Sequence, residues 1–331
     1  MRFAAKQTKP TAGDLLSLAV LVSAVAIAAG IVLAQNRDHG PPWVAPVAST
    51  RTIQAGGAAI QIDFGPGTTN LPQERILHWI DNAVLAVTTY YGRFPVPRDR
   101  VLVQFVPGQS GVGHGTTWGG VGGFPGFTRV HVGQLSTQQD LDEDWMMTHE
   151  LIHTAFPSMN DDQHWIEEGI SVYVEPVARV QAGLLKPEQI WNDMVRDMPK
   201  GNPQDGDRGL DNTHTWGRTY WGGAQFCLMA DVEIRKQTGN RKGLQDALRA
   251  IVNAGGTIDQ DWPITKAFTI GDQATGTHVL TDLYNQVRDT PKTFDLDALW
   301  KELGVEKTAD GVRLDDSAPL AKIRRSITTR E

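Results

Sequence analysis

Apolar positions along the chain fall into two periods. Across Thr52 to Phe64, Ile60, Ile62 and Phe64 alternate with polar residues, the period of a strand that buries one face. From Leu71 to Tyr91 the apolar residues Leu71, Ile76, Ile80, Val84 and Val87 suit a helix packed on a sheet. Short strands are predicted at Val101 to Val106 and Thr128 to Val132. Between them, residues 107–126 hold nine glycines in twenty positions and read as a loop. Helical spacing then takes over. Leu141, Trp145, Ile152 and Phe156 form a stripe that Ser136 and Gln139 open as a capping box and Pro157 ends. Ile170, Val174 and Val177 mark a helix over Ile166 to Ala182, and Phe226, Met229 and Val232 mark one over Tyr220 to Thr238. Leu244 to Val252 gives another short helix. Leu296 to Leu303 and Ala318 to Ile327 also read as helical, with the turn-rich Asp310-Gly311 and Asp315-Asp316 between them.

The N-terminus has a different pattern. Arg2, Lys6 and Lys9 precede an uncharged stretch of twenty residues, Leu15 to Ala34. Signal-peptide cores run about 7–15 residues and membrane-spanning helices need about 20, so the length favours a retained anchor with its basic end inside. Val32-Leu33-Ala34 before Gln35 would suit a signal peptidase, so cleavage is the alternative. Either outcome exports the rest of the chain, to the periplasm or cell surface. Gln35 to Arg51 is polar and Pro-rich and reads as a linker.

Composition narrows the class. The 331 residues are 40 % hydrophobic and 21 % charged, an ordinary globular balance with enough chain for a large core. A net charge of −7 without a basic stripe argues against a nucleic-acid partner. Cys227 is the single cysteine, which excludes an internal disulfide; its apolar surroundings, Ala224 to Ala230, suit a buried, inert thiol.

The candidate chemistry lies between Asp142 and Ser171. His149-Glu150-Leu151-Ile152-His153 is H-E-x-x-H, and on a helix its histidines stand one turn apart on one face. They can offer two imidazoles to one zinc ion, with Glu150 beside the position left for water. A third protein ligand is needed. Glu168 lies fifteen residues beyond His153, and Asp161, Asp162 and His164 are nearer in sequence. His114 and His131 have no metal-ligand spacing to a partner and read as ordinary polar residues. The Asp/Gly cluster from Asp205 to Asn212 misses the EF-hand spacing and reads as turns.

These residues carry a family resemblance. H-E-x-x-H followed by Trp165-Ile166-Glu167-Glu168-Gly169 resembles the paired signatures of gluzincin zinc metallopeptidases, aminopeptidase-N-like and glycyl-aminopeptidase-like. The segment Tyr90 to Pro95 before the strand at Val101 is similar to one preceding their substrate-binding strands. Thr219-Tyr220-Trp221-Gly222-Gly223 resembles their Y-x-x-G motif. The resemblance covers roughly residues 85–255. It implies an α+β fold: a thermolysin-like zincin catalytic domain with an N-terminal mixed sheet, a C-terminal helical half and the zinc site between them. It also implies Zn2+ held by His149, His153 and Glu168 rather than Glu167, Glu150 as general base, and Tyr220 as stabiliser of the oxyanion. The chain departs from the family twice. The fourteen residues between His153 and Glu168 are fewer than in aminopeptidase-N-like enzymes and resemble compact peptidase-MA-like members. Residues 101–139 contain no Asp or Glu, so the family's G-x-M-E-N glutamate, which grips a substrate's amino terminus, has no counterpart there. A cationic amine wants an anion beside it, which favours an endopeptidase or a substrate held by main-chain pairing to an edge strand.

The expected organisation is a basic tail (1–14), a signal peptide or membrane anchor (15–34), a linker (35–51), a β-rich half with substrate-binding strands (52–135), a helical half with the zinc motifs (136–255) and a C-terminal helical extension (256–331). In the glycine-rich passage, Trp118, Phe124 and Phe127 are candidates to line a substrate subsite. The expected partners are a peptide or protein substrate and, through the N-terminal segment, a membrane. The alternative function is a non-catalytic, zinc-stabilised module that presents the glycine-rich cleft to a protein.

Overall fold

The computed structural model describes residues 42–330. The chain divides into two units, Met1–Ala45 and Pro46–Glu331. Of the first, only residues 42–45 are described, the 3-10 turn Pro42–Val44 among them, so the expected anchor or signal segment at 15–34 lies outside the described residues. Among the described residues, no helix is long and apolar enough to cross a membrane.

The second unit opens with a mixed five-stranded sheet in the order β1-β2-β3-β5-β4. The strands are β1 (Ser49–Ala55), β2 (Ala58–Phe64), β3 (Arg98–Val106), β4 (Val112–Val121) and β5 (Phe124–Gly133). β2, β3 and β5 run parallel, and antiparallel β1 and β4 flank them. The alternation read at Ile60, Ile62 and Phe64 belongs to one arm of a hairpin. Gly56-Gly57, with φ of 57° and 82°, turns the chain between β1 and β2. The expected glycine-rich loop is a second hairpin. Val121 pairs with Phe124 across Gly122-Gly123, whose φ values of 60° and 81° suit the tight turn that two central left-handed residues make. A two-residue glycine turn was there in the sequence, but the seven other glycines of that stretch hid the strand around it.

Helix α1 (Gln73–Tyr91) follows the expected span and ends at Gly92 in the left-handed conformation. It connects parallel β2 and β3. Its Ile76, Ile80, Val84 and Val87 share one core with Ile60, Ile62, Val101, Val103, Val130 and Val132. The single helix expected from Ser136 to Phe156 is two: α2 (Gln138–Asp142) and α3 (Met146–His153). The capping box sits one residue later than read, on Thr137 and Asp140. The break comes from Asp144, whose carboxylate accepts the Met147 N–H (3.0 Å) and the Trp79 indole N–H (3.0 Å), starting a new helix. Trp145 therefore leaves the core stripe and is 49 % exposed.

The remaining helices are α4 (His164–Gln181), α5 (Pro187–Asp197), α6 (Gly223–Gln237), α7 (Leu244–Asn253), α8 (Ile264–Thr275), α9 (Val279–Val287), α10 (Leu296–Leu303) and α11 (Ala321–Thr328). Helices α5, α8 and α9 had no counterpart in the sequence reading. A small hairpin, β6 (Val305–Thr308) with β7 (Gly311–Leu314), replaces part of the expected turn region. A π-helical turn, Gly217–Gly222, runs directly into α6. Helices α4 and α6 touch through backbone. A Cβ on Gly169 would lie 2.3 Å from the Gly223 carbonyl carbon, and one on Gly223 would lie 2.2 Å from the Trp165 oxygen.

Candidate metal centre

Helix α3 presents its two histidines to the start of α4. Nε2 of His149 lies 3.1 Å from Oε2 of Glu168, and Nε2 of His153 lies 3.7 Å from the same oxygen. These three ligand atoms all lie within 4.8 Å of one another, and no other such group of His, Cys, Asp or Glu occurs among the described residues. Zinc bonds of about 2.0–2.1 Å at tetrahedral angles set neighbouring donor atoms about 3.3 Å apart. The spacing and the donor set, two imidazoles and one carboxylate, both fit zinc.

Two of the three side chains, His153 and Glu168, have further partners, while Nδ1 of His149 is buried with no hydrogen-bond partner among the described residues. Ser171 Oγ lies 3.3 Å from His153 Nδ1. Glu175, further along α4 and paired with Arg179 at 2.7 Å, adds negative charge near His149. Burial disfavours the charged ring of His149, yet Glu168 outweighs it and raises the pKa. Burial holds His153 down to about 4, which keeps it neutral. Burial alone would raise Glu168, but hydrogen bonds from His149 and His164 hold it below the ordinary carboxylate range. Of the rival ligands, Asp161 and Asp162 lie on an exposed 3-10 turn (Asp161–Gln163) outside the group. His164 instead faces the other oxygen of Glu168, Oε1, at 3.2 Å.

Glu150 is buried between α3 and the edge strand β4. Thr117 Oγ1 lies 2.8 Å from its Oε2, and burial pushes its pKa up to about 7. Gly115 leaves the room it occupies, since a Cβ there would sit 2.7 Å from Glu150 Cγ. Because strand residues alternate, Thr117 facing Glu150 sends Trp118 to the opposite face of the sheet. There Trp118 stacks on buried Phe127 at 5.6 Å, beneath the Arg129 guanidinium, while Arg98 covers Phe124. Of the three aromatics read as a subsite, Trp118 and Phe127 therefore face away from Glu150, whereas Phe124, three residues from Phe127 on the same strand, is not carried to that face by the alternation. His114 and His131 do not join the metal group: their rings lie 5.6 Å apart, and His131 meets Gln104 at 2.9 Å.

Tyr220 sits in the π-helical turn, a rare geometry found frequently at functional sites. Its ring stacks on His149 at 6.4 Å, and its hydroxyl interacts with Glu168. Burial and the nearby carboxylates raise its pKa. Exposed Trp216 stacks on Tyr220 at 6.0 Å, and Trp145 meets His149 edge-on at 5.3 Å. Thr117, Ser171, His164 and Glu175 all escaped the sequence reading in these supporting roles. Ser171 and Glu175 carried a signal, since they follow Glu168 by three and seven residues on one helical face.

No protein-family model matches the chain, and no curated protein matches it. Solved structures do. An aminopeptidase N family protein from Idiomarina loihiensis is similar over 78 % of this chain and 49 % of its own, with a TM-score of 0.58 and 14 % identity. An M1 zinc metallopeptidase from Deinococcus radiodurans is similar over 76 % of this chain and 53 % of its own, with a TM-score of 0.47 and 14 % identity. The chain thus spans about half the length of these proteins. The likeness to the first is one of fold: a mixed sheet joined to a helical half.

Proposed function

We propose that this protein is a zinc-dependent peptidase of the gluzincin type, with a thermolysin-like catalytic centre, exported and held at a membrane by its N-terminal segment. One observation carries the reading: His149, His153 and Glu168 converge on one point, with the Glu150 carboxylate beside it under an open strand edge. His149 and His153 through Nε2 and Glu168 through Oε2 would hold the zinc. When bound, the ion supplies Lewis acidity toward a carbonyl oxygen and lowers the pKa of water from about 15.7 toward about 7.

The chain's own groups supply the rest. Among the described residues β4 is a sheet edge, whose outer main-chain groups can pair with an extended peptide. Glu150 takes a proton from the attacking water and returns it to the leaving amine, general acid-base work by a buried carboxylate. Thr117 fixes the direction of that carboxylate. The Tyr220 hydroxyl is the hydrogen-bond donor for negative charge that builds on the carbonyl oxygen. Residues 101–139, which include β4 and β5, offer no carboxylate to a substrate's amino terminus, which supports cleavage within a chain rather than at its end.

A mixed peptide library tests the proposal. Digestion at internal bonds, abolished by a chelator and restored by zinc, is the expected result. No cleavage by protein carrying stoichiometric zinc would overturn it.

A further inference from the structure

We propose that His164 is a positioning residue for the metal centre, clamping the outer oxygen of Glu168 so that only the inner oxygen faces the two histidines. The inference rests on the zinc reading of the site. The two oxygens of Glu168 have different partners. Oε2 lies 3.1 Å from His149 Nε2 and 3.7 Å from His153 Nε2. Oε1 lies 3.2 Å from His164 Nε2. The His164 ring is itself fixed, because its Nδ1 lies 3.1 Å from Glu167 Oε2. Glu167 in turn accepts the main-chain N–H of Met159, in the segment that leads from α3 to α4.

Helical spacing makes this arrangement possible. His164, Glu167 and Glu168 stand at i, i+3 and i+4, so one ring at the first position of α4 reaches both carboxylates. The purpose follows from coordination. A carboxylate can approach a divalent cation through one oxygen or both, and a catalytic zinc site keeps a position open. Glu168 is buried and its carboxylate also interacts with the Tyr220 hydroxyl, so what His164 adds is a partner on Oε1 from the outer side. Engaging Oε1 from outside holds the carboxylate to single-oxygen approach. His164 also ties the start of α4 to the connecting segment through Glu167, so ligand and link are placed together.

The test uses the full-length chain with His164→Ala, His164→Gln and His164→Phe. Zinc affinity is measured by competition with a chromogenic chelator, and the visible spectrum is recorded for the cobalt-substituted protein. Loss of a hydrogen-bond partner of this kind lowers metal affinity about 10–100-fold. His164→Ala is expected to show that loss and a weaker cobalt absorption, as the freed carboxylate adds a second oxygen. His164→Gln, whose amide can still donate to Oε1, is expected to recover most of both. Should His164→Ala not fold, His164→Phe keeps the ring without its nitrogens and reads the same quantities. Wild-type affinity and an unchanged cobalt spectrum in the folded alanine or phenylalanine variant would overturn the proposal. Failure of the wild-type protein to bind either metal would instead remove the zinc reading, and this proposal with it.

Discussion

Gly115→Ala is a one-methyl change aimed at Glu150, the proposed general base. Gly115 has no left-handed φ, so alanine meets no backbone penalty there. Its Cβ would stand 2.7 Å from Glu150 Cγ, 2.8 Å from Oε1 and 2.9 Å from Cδ. Reaching the 3.4 Å at which ordinary contact begins requires the glutamate or the strand to retreat by 0.7 Å. Thr117, two residues along the same strand, holds Glu150 at 2.8 Å, so the methyl pushes where the hydroxyl pulls. Misplacement of a catalytic group by about 1 Å costs on the order of 100-fold in rate. A fall in kcat/KM of roughly tenfold to hundredfold is therefore expected, with zinc content unchanged because no ligand is touched. The assay pairs hydrolysis of an internally quenched peptide with metal analysis and a thermal melt. A folded variant with full zinc and wild-type kcat/KM would refute the assignment of Glu150.

The remaining predictions address other parts of the molecule. Glu150→Gln should abolish turnover while zinc stays bound, and retained hydrolysis at full zinc occupancy would take Glu150 out of the mechanism. Tyr220→Phe should lower kcat by roughly 100- to 1,000-fold, the usual effect of deleting one oxyanion donor, with KM little changed, measured at saturating zinc because the hydroxyl also interacts with Glu168. Zinc at about 100 times its dissociation constant should add about 2.7 kcal/mol to stability, seen as a higher melting temperature that a chelator reverses. Asp99 is wholly buried, with no side-chain hydrogen-bond partner among the described residues, and burial pushes its pKa up to about 7. Its folded pKa lies above the unfolded value of about 3.9, so the fold favours the protonated acid. Stability is then lost as pH rises from about 4 to about 7, by at most about 4 kcal/mol at about 1.36 kcal/mol per unit. Asp99→Asn should leave urea midpoints unchanged near pH 4 and raise them near pH 8; equal effects at both would refute burial as the cause.

The convergence of His149, His153 and Glu168 was legible in the sequence because the three residues lie on two helices close together in the chain, so local spacing sets the geometry. H-E-x-x-H and Glu168 could be read from one stretch, Asp142 to Ser171. Thr117 could not, since its approach to Glu150 depends on β4 pairing with β5, a register fixed by a two-glycine turn rather than by hydrophobic period. Trp118 shows the same limit: without the register, nothing said which face of the sheet it would take. Trp145 was misread because its spacing fits the core stripe, and only the contact between Asp144 and distant Trp79 restarts the helix there. Length does not explain why helices α5, α8 and α9 were missed, since α7 and α10 are shorter than α5 and were read; in α5, Pro187 at the first position and the spacing of Ile190, Trp191 and Met194 carried a helical signal that the reading passed over.

The meeting of Gly169 with Gly223 leaves no lateral slack between two helices, one bearing the Glu168 carboxylate and the other continuing the turn that bears Tyr220. The gap between that carboxylate and the phenol is consequently gauged by main chain pressed on main chain. A methyl wedged into this seam would leave every side chain of the centre intact, yet detune it, as surely as spreading a pair of tweezers moves both tips.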